Sequence, residues 1–260
     1  MTVSKVISFA LQKGGVGKTT ATALTGYLLS RDYKVLAVDF DSQGNLTQLL
    51  TQRDVYEFRG ATILEAIHES DVRPYIVPIT DSLHLVPAED LLSTLSKYIF
   101  TEYKGSISPS LLLKKALEPV MDSYDFILID LPPNLGEQTS NGLGASDYVV
   151  VMFQSEPFSH SAVDRFMEFL RDGILPFVNP DLRVAGILTS IHDARASIDK
   201  ALVDDIQEQY KGIVFETVIR RKTRIKEFSI QGIVDRTKND QEALQSYKSF
   251  VEELLERVQG

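Results

Sequence analysis

Three groups of residues in the 260-residue chain have the types and the spacing to do chemistry. The first is Gln12-Lys13-Gly14-Gly15-Val16-Gly17-Lys18-Thr19-Thr20, set between the apolar run Val6 to Ala10 and a stretch from Ala21 to Leu29 that reads as helix. Glycines let a chain curl so that several N–H groups point inward at a helix N-terminus, whose partial positive charge favours an anion. A polyphosphate fits such a turn. Lys18 then supplies a point charge for the β and γ phosphates, and the Thr19 hydroxyl can complete the coordination of Mg²⁺. The second group is Asp39 and Asp41, at the end of the β-rich run Lys34 to Asp39. One carboxylate can serve a Mg²⁺ shell and the other can orient a water toward a γ-phosphate, although the pair alone also fits a plain strand-end turn. The third is Asp130, which closes the apolar run Phe126 to Ile129 ahead of Pro132-Pro133 and can face a metal's water shell.

These side chains need a scaffold that brings strand ends together. In an open α/β sheet the carboxyl edge of the strands, beside the first strand-to-helix turn, is where ligands bind. The pattern predicts strands over Val6–Ala10, Lys34–Asp39, Leu83–Pro87, Asp125–Asp130, Tyr148–Phe153 and Val184–Ile191. Helices are predicted over Ala21–Leu29, Leu46–Leu50, Ala61–Ile67, Glu89–Tyr98, Pro109–Leu117, Ser161–Arg171, Ala196–Tyr210 and Gln241–Val258, the last with Leu244, Tyr247, Val251, Leu254 and Val258 at helical spacing. Residues 52–60 read as a polar loop. Strands alternating with helices predict an α/β fold over residues 1–260 as a single domain, with a mostly parallel twisted sheet and helices on both faces.

Composition narrows the choice. The chain is 43% hydrophobic and 24% charged, ordinary for a globular protein, and lacks cysteine, so a disulfide framework, a Cys-ligated zinc and a Cys-held iron–sulfur cluster are excluded. The four histidines, His68, His84, His160 and His192, have no metal-ligand spacing. No signal peptide precedes the first strand and no run approaches the ~18 apolar residues of a membrane span, so a cytoplasmic protein is expected. Asn45-Leu46-Thr47 matches a glycosylation sequon, which in that setting is an accident. Net charge is −9, yet residues 220–226 hold five basic groups and no acid.

The string Lys13 to Thr20 resembles the deviant Walker A motif of the ParA/MinD family of ATPases. The usual G-x-x-x-x-G-K-[ST] pattern would begin with glycine where this chain has Gln12, and the chain carries an extra lysine, Lys13, instead. Val35 to Asn45 is similar to that family's switch I. Phe126 to Gly136 resembles its Walker B and switch II, with Asn134 where Ser is usual, and Ile187–Arg195 and Thr217–Glu227 are similar to two late ParA segments. The resemblance runs from about Val6 to Gly232, and the chain is identified as a member of the ParA family, of the short Soj-like kind whose start at the first strand leaves no upstream helix-turn-helix domain.

That resemblance implies a deviant P-loop NTPase that takes ATP and Mg²⁺. It assigns the nucleotide to Lys13, Gly14, Gly15, Val16, Gly17, Lys18, Thr19, Thr20 and Asp130, and the metal to Thr19, Asp39 and Asp130. Catalysis falls to Asp41, Lys18 and Lys13, the last reaching the partner subunit's nucleotide across a homodimer. The arginines matching Arg195 and Arg224 contribute to sequence-independent DNA binding, with Arg220, Arg221 and Lys222 in the same basic patch. Arg220 stands where the family more often has Pro near the base. The implied function is an ATP-driven dimerisation switch, nucleoid-associated, that binds DNA without sequence preference. A ParB-like partner on a plasmid, chromosome region or protein assembly triggers its hydrolysis. The alternative is a MinD-like membrane-cycling ATPase of cell division, which needs a C-terminal amphipathic helix with a basic face. Residues 240–260 hold five acids and two bases, so anionic lipid repels them and no membrane partner is expected. The missing cysteines disfavour the nitrogenase-iron-protein and tail-anchored-protein targeting branches, and a small-molecule ligase or kinase would need a substrate pocket that the sequence does not show.

Overall fold

Strands as apolar as Val35-Leu36-Ala37-Val38 and Phe126-Ile127-Leu128-Ile129 are stable only inside a sheet covered on both faces, the setting of a parallel sheet. The structure, a computed structural model, describes residues 4–156, 159–192 and 197–259. Its strands are β1 (Lys5–Ala10), β2 (Val35–Asp39), β3 (Val77–Pro78), β4 (Leu83–Val86), β5 (Phe126–Asp130), β6 (Tyr148–Gln154), β7 (Arg183–His192) and β8 (Val214–Arg220). They form one sheet in the order β3-β4-β2-β5-β1-β6-β7-β8, parallel throughout except for β3 against β4. The α-helices are α1 (Lys18–Leu29), α2 (Asn45–Thr51), α3 (Ile63–Glu69), α4 (Leu95–Lys97), α5 (Leu112–Leu117), α6 (Glu137–Ala145), α7 (Ser159–Phe169), α8 (Ser197–Gln209), α9 (Thr223–Gln231) and α10 (Lys238–Gln259).

Successive residues of a strand point to opposite faces. On β1, Ser8 Oγ donates to the Gly142 carbonyl of α6, while the Phe9 ring meets Phe250 of α10 with centroids 6.4 Å apart. The two helices therefore cover opposite faces, as the α/β expectation requires. Gly26 faces the sheet from α1, where a Cβ would rest in ordinary contact with Leu83 and Leu128 at 3.4 and 3.5 Å.

The apolar stripe of α10 is spent inside the protein: Leu244, Tyr247, Phe250, Val251, Leu254 and Val258 are all buried. Its polar residues brace the outer strand. Glu253 accepts the amides of Glu216 and Thr217 on β8 at 2.9 and 3.1 Å. Arg257 pairs with Glu253, donates to the Ala185, Ile213 and Val214 carbonyls, and stacks on the Phe215 ring.

Several elements escape pattern reading. The sequence of α6 holds two glycines and no apolar period, because close packing demands them: a Cβ on Gly142 would lie 2.2 Å from Leu131, and one on Gly144 2.5 Å from the Ser110 carbonyl. The 52–60 loop contains a 3₁₀ turn, Val55–Phe58, capped by Asp54 and Glu57 in a reciprocal box, with Val55 and Phe58 buried. The helix expected over Glu89–Tyr98 is a 3₁₀ turn, one α turn and a π turn in succession.

Phe250 is fully buried and meets Phe9 and Phe215 edge to face. Phe250→Ala should destabilise the fold by about 3–5 kcal/mol in urea unfolding with an unchanged slope. A loss under ~1 kcal/mol would mean that α10 does not pack as described.

Candidate nucleotide site

The chain leaves β1 at Ala10 and enters α1 at Lys18, and the backbone between them makes the turn that the glycines predict. Gly15 and Gly17 take left-handed φ angles of 76° and 83°, conformations that glycine adopts without steric cost. Gly17 is the N-cap of α1 and supplies no side-chain acceptor, so the first amides of the helix remain available to an anion. A Cβ on Gly14 or Gly15 would meet nothing within 4 Å, which marks the open side of the loop. The loop is fastened from behind by Ser190 on β7, whose hydroxyl reaches the Val16 carbonyl at 2.5 Å. Sequence reasoning missed Ser190, as nothing local signals a contact 174 residues away.

A cavity of about 670 Å³ opens over this loop. Gly14 to Thr20, Asp41, Gln43 and Pro133 form one part of its wall. Leu24, Leu49, Ile219, Ile225 and Phe228 supply an apolar part, with Arg220, Arg221, Lys222 and Lys226 beside them. A ligand with a polyanionic head and a flat apolar body matches both.

Behind the wall, Asp39 and Asp130 are paired across β2 and β5. Asp39 is fully buried, and burial pushes its carboxyl up to about 7 against the Thr47 hydroxyl and amide, which favour the charged form. Asp130 is 1% exposed, and neither of its oxygens has a hydrogen-bond partner of sound geometry among the described residues. Burial and the neighbouring Asp39 hold it well above the carboxylate range, while the nearby Thr19 hydroxyl and Lys18 only partly offset them. Lys18 is itself buried, which lowers its pKa, with Asp130 and Asp41 acting in the opposite sense. Its ammonium donates to the Leu11 and Lys13 carbonyls at 3.3 and 3.0 Å.

An orphaned, buried carboxylate beside a half-buried threonine hydroxyl is the hard-oxygen donor set that Mg²⁺ takes together with water and phosphate. Thr19 and Asp130 would hold the metal, which would supply charge neutralisation at the terminal phosphates. Asp39 has another occupation. Its Oδ2 accepts from the Thr47 amide and hydroxyl at 2.8 and 2.7 Å, and its Oδ1 from the Asp41 amide at 3.3 Å, so it braces the segment from Asp41 to Thr47. Thr47, which sequence reasoning passed over, also takes the Ala88 amide at 3.0 Å and ties α2 to the end of β4.

The remaining predicted residues divide. Asp41 and Thr20 line the cavity. Lys13 does not: its ammonium pairs with Glu156 at 3.2 Å and meets the Ser159 hydroxyl at 2.8 Å. Arg220 and Arg221 are exposed, with no ion-pair partner among the described residues, whereas Lys222 donates to the Glu242 carbonyl. Arg224 departs from the expected open DNA contact, being bound to Asp240 at 2.6 Å and Glu227 at 2.7 Å. Arg195 lies outside the described residues. The basic patch thus belongs partly to the cavity wall, which the linear charge count could not reveal.

Two outcomes follow from this geometry. Lys18→Ala should weaken ATP binding about a hundredfold by calorimetry, since charge-assisted hydrogen bonds of about 1.5–3 kcal/mol each are lost. Unchanged affinity would refute the site. The second concerns Asp39, whose folded-state value near 7 lies above its ordinary 3.8. Between those values the unfolded chain ionises first, so the Asp39 contribution makes the ligand-free protein less stable as pH rises from about 4 to 7. The melting temperature of Asp39→Asn relative to the parent should therefore climb over that window. A constant difference would show that Asp39 ionises normally.

Comparison with known proteins bears on the family and the fold. Residues 4–184 match the AAA domain family. The chain is 33% identical over 238 residues to the sporulation initiation inhibitor protein Soj of Bacillus subtilis, covering 88% of this chain and 89% of Soj. It is also 33% identical to the chromosome partitioning protein ParA of Myxococcus xanthus over 87% of this chain and 78% of that protein. Among solved structures, cobyrinic acid a,c-diamide synthase from Mycobacterium smegmatis with bound ATP analog and magnesium superposes with a TM-score of 0.85 at 28% identity, covering 99% of this chain and 96% of the other. With a family match across more than half its length and relatives at this identity over most of it, the chain belongs to the ParA family of P-loop ATPases.

Proposed function

We propose that the protein is an ATP-driven dimerisation switch of DNA partitioning. It binds ATP and Mg²⁺ in the cavity over Gly14–Thr20, closes a homodimer across the nucleotides, holds DNA without sequence preference, and hydrolyses ATP to release it. The observation that carries the reading is that one cavity is walled both by the phosphate loop and by the basic residues Arg220, Arg221 and Lys226, which have no ion-pair partner among the described residues. Nucleotide and DNA thereby engage neighbouring parts of one segment.

Each residue then has a role set by its place. The glycine-loop amides and Lys18 hold the β and γ phosphates, and Asp41 at the cavity wall orients the attacking water. Lys13 lies outside the cavity of its own chain, which supports a role on the nucleotide of a second subunit once its Glu156 pair opens. With Arg224 bound to carboxylates, the DNA contacts fall to Arg220, Arg221 and Lys226, together with Lys222 and Arg195. The buried apolar stripe of α10 leaves no face for lipid, which favours DNA over the membrane-cycling alternative, and no described helix is long and apolar enough to cross a membrane. Cargo release in answer to a ParB-like adaptor is in keeping with the chromosome partitioning named in the Myxococcus xanthus relative.

The test is fluorescence anisotropy of a random-sequence duplex with ATP, with ADP and without nucleotide, at low and moderate salt. Binding should need ATP and fall steeply with salt. At saturating ATP, the double variant Arg221→Ala, Lys226→Ala should lower the log–log salt slope by about two per subunit. Equal binding in all three nucleotide states would remove DNA from the cycle.

A further inference from the structure

α9 is an unusual wall for a binding cavity, since Phe228 is its sole buried residue. Its neighbours Ile225, Lys226 and Ser229 line the cavity together with Phe228, but a helix that buries one side chain gains little from the hydrophobic effect. Something polar must fix it. The Arg224 guanidinium, 16% exposed, donates to Asp240 Oδ1 at 2.6 Å, Glu227 Oε2 at 2.7 Å and Gln231 Oε1 at 3.0 Å, and lies 5.2 Å from the centroid of the Phe228 ring. Asp240 is fully buried in the first turn of α10 and also accepts the amides of Arg236 and Thr237 at 3.1 and 2.8 Å. On the other flank, Gln52 at the end of α2 donates to the Phe228 carbonyl at 3.5 Å.

Removing Arg224 from this cluster would strand a buried carboxylate, which costs more than a solvent-facing phosphate contact returns. The planar fork suits the task, spanning two carboxylates and an aromatic face at once, which a lysine cannot do. We infer that Arg224 is a positioning residue for nucleotide binding: it clamps α9 through Asp240 so that Phe228 and Ile225 form the apolar wall against the nucleobase. The inference rests on the nucleotide reading of the cavity. It assigns Arg224 to the base side of the ligand, opposite the phosphate loop, and takes it out of the DNA surface.

The assignment separates base from phosphate, and so does its test. Calorimetry with Mg²⁺ compares ATP with inorganic triphosphate for the parent, Arg224→Ala, Arg224→Lys and Asp240→Asn. Arg224→Ala and Asp240→Asn should each weaken ATP by about tenfold, with triphosphate affinity unchanged and Arg224→Lys in between. The salt slope of DNA binding by Arg224→Ala at saturating ATP should match that of the parent. ATP affinity unchanged in Arg224→Ala, with a DNA salt slope lowered by about one per subunit, would overturn the inference in favour of direct phosphate contact. Parallel loss of ATP and triphosphate with a lowered melting temperature would also overturn it, reducing Arg224 to general stability. A parent protein that binds neither ligand would instead sink the nucleotide reading itself.

Discussion

Two carboxylates that end adjacent strands inside the protein set the terms for the rest of the site. Asp39 and Asp130 are Cα partners across β2 and β5, with almost no solvent between them and the core. Burying one ionised carboxylate costs several kcal/mol, and placing a second beside it adds repulsion in a medium of low dielectric. The protein resolves the two differently. It equips Asp39 with Thr47 and the Asp41 amide, and leaves the Asp130 oxygens without a well-formed hydrogen bond among the described residues. An arrangement of this kind is incomplete without a cation, and Lys18 and an incoming divalent ion are the charges in reach.

The same constraint links distant parts of the chain. Through Thr47, the charge state of Asp39 bears on the start of α2, and α2 ends at Gln52, which touches α9. Gln52 holds a left-handed φ of 56°, uncommon for a residue with a side chain, at the junction between the two helices. Hydrogen bonds at its two ends thus tie α2 to Asp39 at one side and to α9 at the other.

Much of this was legible in the sequence. The runs ending at Ala10, Asp39 and Asp130 are apolar on both faces, so their assignment to the centre of a parallel sheet needed no tertiary information, and the glycine string between β1 and α1 declared its own geometry. The rest was hidden for identifiable reasons. The residues of β8 alternate too weakly in burial to announce a strand, and α9 presents almost no apolar face. Arg224 reads as one more cation in a basic run until Asp240, sixteen residues on, is folded against it. Lys13 likewise looks like a phosphate ligand in sequence, yet in a single chain it answers to Glu156. Linear charge counting fails wherever pairing is long-range.

Both rims of the sheet are blunted. At one, β3 spans two residues and ends in Pro78, which has no amide to offer. At the other, Glu253 accepts the amides of Glu216 and Thr217 on the outer strand. Among the described residues, a short strand at one rim and occupied amides at the other leave an extended segment from another chain less ladder to pair with, which discourages strand addition.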